Sequence, residues 1–258
     1  MLPEITAVMI TGKSDKRRSL ATRSLRSFVE QTYPNKRLIV VNTGDKPFLV
    51  GDGGQMFEMH MPGSRAKLGT LRNAALSRLS EDAWWIQWDD DDWHHPMRMW
   101  YQASAIPMRG KNDIAILLDG QVRYSFLENA AFAYRWTLQV CPGIPGTILC
   151  KNKIGRTYPA NAKGEDVEFL NNYQPSQLVV LPNHHQGNSH LYLRFAHGDN
   201  TWSQDHIMGA MKDSCGGDIK NKWFLSREQS TYLRQVLHSR YSSELAHHDV
   251  EKSAIYFS

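Results

Sequence analysis

Four consecutive aspartates, Asp89-Asp90-Asp91-Asp92, follow the run Trp84-Trp85-Ile86-Gln87-Trp88 and lead into Trp93. A short, mostly apolar run ending in a polar turn reads as a buried strand, and open α/β sheets bind their ligands at the C-terminal edges of such strands. Adjacent carboxylates repel one another, so a site that gathers them supplies a cation; hard divalent ions such as Mg2+ and Mn2+ prefer oxygen ligands. The alternative is a solvated acidic turn that caps a helix after Pro96. A second acid pair, Glu165-Asp166, follows Gly164 at the start of a helical pattern. A carboxylate in that place either caps the helix and meets its dipole or takes a proton as a general base. His197 ends a predicted strand just before Gly198; it is either a metal ligand or a strand-end histidine bonded to backbone. Trp202 offers a face for a sugar or base, or packs in the core.

The elements around these residues alternate. Ile5 to Thr11 is a predicted buried strand, followed by a loop in which Ser14 or Asp15 is the helix cap. From Lys16 to Gln31, Leu20, Ala21, Leu25, Phe28 and Val29 recur at helical spacing, with the basic residues mostly off that face. The cluster Lys13, Lys16, Arg17 and Arg18 at the helix start either faces solvent or meets a polyanion. Arg37 to Asn42 is a continuous apolar run suited to a parallel strand covered on both faces, which completes a right-handed βαβ unit. Gly51 to Gly54 is a predicted turn, Gln55 to His60 a weaker strand, and Ala66 to Leu79 a helix carrying Arg72. After the acid turn come a helix over Pro96 to Ile106 and strands over Ile114 to Leu118, Gln121 to Leu127 and Ala131 to Gln139. Cys141 to Gly146 is expected to be a Gly/Pro loop and Thr147 to Cys150 a strand. The helix from Gly164 runs to Tyr173, and strands follow at Leu178 to Leu181 and His190 to Ala196, with His184 and His185 in a loop. Gln204 to Met211 and Arg227 to Leu237 make the C-terminal portion helical. The fold class is α/β, a mixed sheet flanked by helices, in one continuous domain.

The chain has 258 residues and a formal net charge of +4, mildly basic and compatible with a phosphate-bearing ligand or nucleic acid. No apolar stretch approaches the length of a transmembrane segment and no leader is recognisable, so the expectation is a cytoplasmic protein. The three cysteines (Cys141, Cys150, Cys215) have no metal-ligand spacing, in keeping with a reducing compartment. Most of the eleven histidines read as surface or packing residues.

In order and spacing, four pieces resemble the family 2 glycosyltransferases of the GT-A fold. They are the first strand with its basic helix, Ser27 to Asn35 and the strand Arg37 to Asn42; the segment Leu68-Gly69-Thr70-Leu71-Arg72-Asn73-Ala74-Ala75-Leu76; the Asp-X-Asp element at Asp89 to Asp91 followed by Asp92; and Gly164-Glu165-Asp166. The resemblance implies a Rossmann-like nucleotide-sugar-binding half (1–110), an acceptor half (111–203) and a helical extension (204–258). It implies a metal-dependent, inverting transferase, with Mn2+ or Mg2+ at Asp91 and Asp89, and His197 completing the shell. Asp89 and Asp90 would lie at the donor, Asp89 near the ribose or the metal's waters, and Arg72 at the diphosphate. Thr11 would meet the base or ribose. Asn42 stands where the family commonly has an aspartate that reads uracil; a UDP-sugar is the leading donor, with donor identity open. Asp166 corresponds to the general base, and Glu165 to a neighbour that orients the loop or acceptor. The acceptor hydroxyl belongs to a glycan, a lipid-linked intermediate or a hydroxylated nucleic-acid base. Nucleotidyl transfer and a non-catalytic nucleotide-sugar-binding protein of the same fold are the competing readings; the first lacks its phosphate loop after the first strand, and the retained acids argue against the second.

Overall fold

The computed structural model describes residues 2–12, 14–49, 54–106, 113–125, 130–134, 143–185, 189–197 and 200. The expected C-terminal helices, Trp202, Lys13, Cys141, Cys215 and most of the turn at 51–54 lie outside these residues. Strand β1 (Ile5–Thr11) is almost wholly buried, and helix α1 (Asp15–Val29) starts at Ser14, whose hydroxyl accepts from Arg17 N at 3.0 Å. Strand β2 (Lys36–Asn42) pairs parallel with β1, and β3 (Met56–His60) adds parallel to β2 at the sheet edge. Helix α2 (Leu68–Leu76) leads to β4 (Trp84–Gln87), which pairs parallel with the other side of β1. Helix α2 is shorter than its apolar periodicity predicts. Arg78 and Leu79 bond three residues back, to Ala75 and Leu76, so the last turn tightens out of α geometry.

The acid turn then runs into the short strand β5 (Trp93–His94) and helix α3 (Arg98–Ala103). Strands β6 (Ala115–Asp119), β7 (Gln121–Ser125), β8 (Ala130–Tyr134) and β9 (Ile144–Lys151) follow, then α4 (Glu165–Leu170) and β10 (Leu178–Pro182). Two residue pairs, β11 (His184–His185) and β12 (Ser189–His190), precede β13 (Tyr192–Ala196). The main sheet has seven strands in the order β10-β6-β9-β4-β1-β2-β3, with β9 antiparallel to both its neighbours. A second sheet runs β5-β13-β7-β8.

Three expectations are corrected here. Ile144, Pro145 and Gly146 are strand, not loop: β9 starts at Ile144, and the glycines serve close approach. A Cβ on Gly143 would sit 2.7 Å from Leu117 Cβ, and the β6–β9 register shifts between Ile116 and Leu118 next to Pro145. His184 and His185 are paired with Ser189 and His190 and are not loop residues. The strand expected over His190 to Ala196 is broken at Leu191, between β12 and β13.

Two apolar layers cover the main sheet, as the continuous runs in β1 and β2 require. Ala7, Met9, Phe28, Trp88 and Met99 pack on the face under α1 and α3. Val8, Val41, Leu71, Ala75, Trp85 and Phe169 pack on the face under α2 and α4. Among the described residues no helix is long and apolar enough to cross a membrane.

The segment Leu68 to Leu76 owes its composition to the strap at Tyr158 to Asn161. Asn73 bonds both backbone groups of Tyr158, Nδ2 to its carbonyl and Oδ1 from its N–H, each at 2.8 Å. Gly69 allows the approach: a Cβ there would sit 1.9 Å from the Pro159 carbonyl oxygen. The glycine and asparagine therefore hold the strap, and the Arg72 guanidinium lies over the ring of Tyr158 in the same strap, 5.2 Å from its centroid. Gly69→Ala should lower unfolding stability by roughly 1–3 kcal/mol, as overpacking against backbone does. A denaturation midpoint unchanged from wild type would show that the strap yields freely.

Candidate active site

Strand β4 ends at Gln87, and Trp88 carries the chain out of the sheet while its N–H still bonds Val8 O at 3.0 Å. Trp88 is fully buried, edge-on to Phe28, and its indole N–H reaches Ser24 O at 3.2 Å. Ser24 Oγ in turn donates to Asp89 O at 2.8 Å, so one face of α1 fixes the start of the acid turn. The tryptophans are thus the anchor that a merely solvated turn would not need.

Each aspartate has a different seat. Asp89 Oδ1 accepts from Arg72 Nη2 at 3.2 Å and Gln87 Nε2 at 3.0 Å, beside Gly146, where a Cβ would come within 2.7 Å of Oδ2. Asp90 Oδ1 pairs with Arg17 Nη2 at 2.9 Å, and its carboxyl is buried against the Thr11 side chain. Asp91 Oδ2 accepts from Arg17 Nη1 at 2.7 Å and lies 3.1 Å from His197 Nε2. Asp92 is buried, bonded through Oδ2 to the Tyr192 hydroxyl and through Oδ1 to Phe195 N at 3.1 Å, with Arg194 Nε 3.8 Å away.

These seats divide the charge. Burial, reinforced by the Asp91 charge, pushes the Asp90 carboxyl up to about 8 against the pull of Arg17. Burial and then Asp91 push Asp92 up to about 7. Burial acts on Asp91 too, but Arg17 and the hydrogen bond to His197 outweigh it and hold Asp91 well below the usual carboxylate range. Asp91 is the firmly ionised member of this trio.

Beneath the turn, Arg98 is completely buried between the rings of Trp88 and Tyr192, 5.3 and 5.2 Å from their centroids. Its guanidinium bonds Gln102 Oε1 at 3.1 Å, Gln87 O at 3.2 Å and His94 Nδ1. Burial, then the Arg98 charge, keep His94 neutral.

The second acid pair enters from α4. Gly164 caps that helix in the left-handed region at φ 71°, a conformation that favours glycine. Glu165 is buried and pairs with Arg72, which thereby bridges Asp89 and Glu165. Asp166 is half-buried, with Oδ1 accepting from Val167 N at 2.8 Å.

One cavity of about 90 Å3 collects Arg17, Arg72, Asp89 to Asp92, Lys163 to Asp166, Arg194 and Asn200. That is room for a phosphate group or a hydrated ion, well short of a whole nucleotide sugar. Of the residues singled out by sequence, Asp89, Asp90, Asp91, Arg72, Glu165 and Asp166 all line it, and His197 touches it through Asp91.

Thr11 and Asn42 do not line this cavity. The Thr11 side chain is buried against the Asp90 carboxyl, and Asn42 is engaged locally, donating to Lys46 O and Glu58 Oε1 and accepting from Gly44 N. Arg72, expected at the diphosphate, is only 5 % exposed and committed to two carboxylates. Asp89, expected near the ribose or the metal's waters, lines the cavity and accepts from Arg72 and Gln87.

Sequence reasoning missed Arg194 and Tyr192, and named Arg17 only as one of a basic cluster. Arg17 did leave a signal: a helix N-terminus disfavours cations, yet Lys16-Arg17-Arg18 occupy the first turn of α1. That cluster does not simply face solvent. Lys16 Nζ bonds His197 O at 2.7 Å, Arg17 takes the acid turn, and Arg18 bonds Pro47 O at 2.7 Å.

Among the described residues no three His, Cys, Asp or Glu side chains are grouped to hold a metal unaided. The donor chemistry nevertheless fits a divalent ion. Asp91 and His197 are already together, and Mg2+ or Mn2+ is commonly held by one or two carboxylates plus substrate phosphates. The mixed oxygen–nitrogen pair suits Mn2+ better than Mg2+.

Arg72→Met should cost roughly 3–5 kcal/mol of stability, because it strands two carboxylates. The double variant Arg72→Met/Glu165→Gln should recover part of that loss in a denaturation cycle; strict additivity would refute the coupling.

No protein-family model matches the sequence, and no curated protein matches it. Solved structures do. The S. aureus TarS fragment 1–349 superposes with a TM-score of 0.52 at 13 % identity, covering 97 % of this chain and 74 % of that one. The same fragment in complex with UDP gives 0.53 at 12 % identity, covering 95 % and 75 %. The longer S. aureus TarS gives 0.50 at 14 % identity, over 96 % of this chain and 46 % of that one. The likeness extends over nearly the whole of this chain, so the seven-stranded mixed sheet flanked by helices is the fold of these structures.

Proposed function

We propose that this chain transfers a sugar from a nucleotide-sugar donor to an acceptor hydroxyl with inversion at the anomeric carbon. The observation that carries this reading is that Asp91, from the end of β4, and Asp166, from the start of α4, line one cavity flanked by arginines. The fold likeness to a UDP-bound protein supports a nucleotide donor, with UDP-sugar leading. The cavity would take the diphosphate, and the nucleoside and sugar would extend from its mouth.

Asp91 and His197 would hold a divalent cation, Mn2+ in preference to Mg2+. Such an ion, when bound, stabilises the charge that builds on a leaving diphosphate. Asp166 takes the proton of the acceptor hydroxyl as that oxygen attacks the anomeric carbon. The new C–O bond forms as the bond from that carbon to the diphosphate oxygen breaks on the opposite face, and the nucleoside diphosphate leaves with the electron pair. Glu165 acts at one remove: it holds Arg72, and through it Asp89, at a set distance from the base. The acceptor is a hydroxyl-bearing molecule, a glycan in the first instance and a hydroxylated nucleic-acid base in the second. The domain division follows the same reading, with donor contacts on 1–110, acceptor contacts on 111–203 and an extension at 204–258.

Calorimetric titration with UDP, with and without Mn2+, tests this. Asp91→Asn should abolish the Mn2+-dependent part of UDP binding. Asp166→Asn should keep UDP affinity and lower sugar transfer by about 10²–10⁴-fold. Wild-type turnover in Asp166→Asn would assign the proton to another group. Nucleotide binding without hydrolysis or transfer to any acceptor would favour a binding protein.

A further inference from the structure

The acid turn already contains a cation, and it belongs to the protein. Arg17 spreads its guanidinium across two carboxylates, Nη2 on Asp90 Oδ1 at 2.9 Å and Nη1 on Asp91 Oδ2 at 2.7 Å. The same Asp91 oxygen is the one 3.1 Å from His197 Nε2. We infer that Arg17 is the resident counter-cation of the acid turn, and that a divalent ion enters between Asp91 and His197 only as the guanidinium leaves Asp91. This inference rests on the reading of Asp91 and His197 as the metal-holding pair.

A metal ion and a guanidinium on one carboxylate oxygen face each other at contact distance, where their like charges repel strongly in a partly buried site. The Arg17 side chain is 23 % exposed and lines the cavity, so it has somewhere to go. Nη2 can keep Asp90 while Nη1 swings off Asp91. Asp90 is suited to this pivot because it is buried, its Oδ1 already holds Nη2, and the Thr11 side chain backs its carboxyl. A displaced forked donor inside the cavity matches a diphosphate as well as it matches a carboxylate. Metal and nucleotide then assist each other through Arg17, as well as by direct ligation. The placement also accounts for a helix that opens with Lys16-Arg17-Arg18 against its own dipole.

The test is Mn2+ binding to the full chain, read from the free-ion electron paramagnetic resonance signal, for wild type, Arg17→Gln, Arg17→Lys and Asp91→Asn. Without nucleotide, Arg17→Gln should bind Mn2+ about tenfold tighter than wild type. Arg17→Lys, which keeps the charge and loses the fork, should fall between the two. Saturating UDP should raise Mn2+ affinity less in Arg17→Gln than in wild type. Near-UV circular dichroism reports whether each variant keeps its tertiary structure; should Arg17→Gln lose it, the Arg17→Lys comparison decides by the same criterion. Wild-type or weaker Mn2+ affinity in the folded Arg17 variants, with Asp91→Asn having lost binding, overturns the gate and leaves the metal reading standing. Absence of Mn2+ binding in every protein, with or without UDP, overturns both.

Discussion

Four adjacent carboxyl groups cannot be packed beside one another as four free charges, and the described part of the fold is arranged around that constraint. Two solutions act together. Burial and mutual repulsion raise Asp90 and Asp92 toward neutrality. Arginines from three separate elements answer the charge that remains: Arg17 from α1, Arg72 from α2 and Arg194 from β13. Each arginine is a tie as well as a counter-charge, because it fixes its own element to the end of β4. The turn is thus the point at which the helices on opposite faces of the main sheet and the second sheet meet.

A buried arginine without a carboxylate partner is costly, and Arg98 is one. Its neighbours show what it does there. It lies between Trp88, which anchors the entry to the turn, and Tyr192, which bonds Asp92 at the exit, and it accepts nothing itself while donating to Gln87, Gln102 and His94. The positive charge beneath the aspartates offsets part of the cost of burying them. Specificity of geometry, and not net stability, is the gain expected from such a buried polar network.

Local pattern carried most of the elements. The strands over Ile5 to Thr11 and Lys36 to Asn42 and the helix between them were legible because continuous apolar runs and helical spacing are short-range signals. The main misreading, at Ile144 to Gly146, has the opposite character: glycine and proline mark turns locally, but here they serve a bulged strand pressed against Leu117 and Asp89. The acid turn and the Glu165-Asp166 pair were visible as residues, and their sharing of one cavity followed from the ordered motifs. Partnership was not legible. Whether Arg72 faces a ligand or two of the protein's own carboxylates depends on contacts 17 and 93 residues away in sequence. Asn42, likewise, looked like a base reader and is spent on Glu58 and the loop after β2.

Arg72 also links the two ends of the proposed chemistry. One guanidinium joins Asp89, at the head of the acid turn, to Glu165, the residue before the proposed base. Gly69 and Asn73 of the same helix hold the strap that leads into Gly164, and Arg72 itself lies over the Tyr158 ring of that strap. Helix α2 therefore sets the separation between the acid turn and the start of α4, by the Arg72 ion pairs and by the hydrogen bonds of Asn73 to the strap. A separation set in this way exists before any donor arrives, and a catalyst gains most from groups that need no rearrangement as charge develops. The mobile charge then has to be a different one. With Arg72 committed to position, the proposed exchange of a carboxylate for an incoming ligand falls to Arg17, whose fork already spans Asp90 and Asp91 at the cavity wall, and the work is divided between an arginine that stays and one proposed to move.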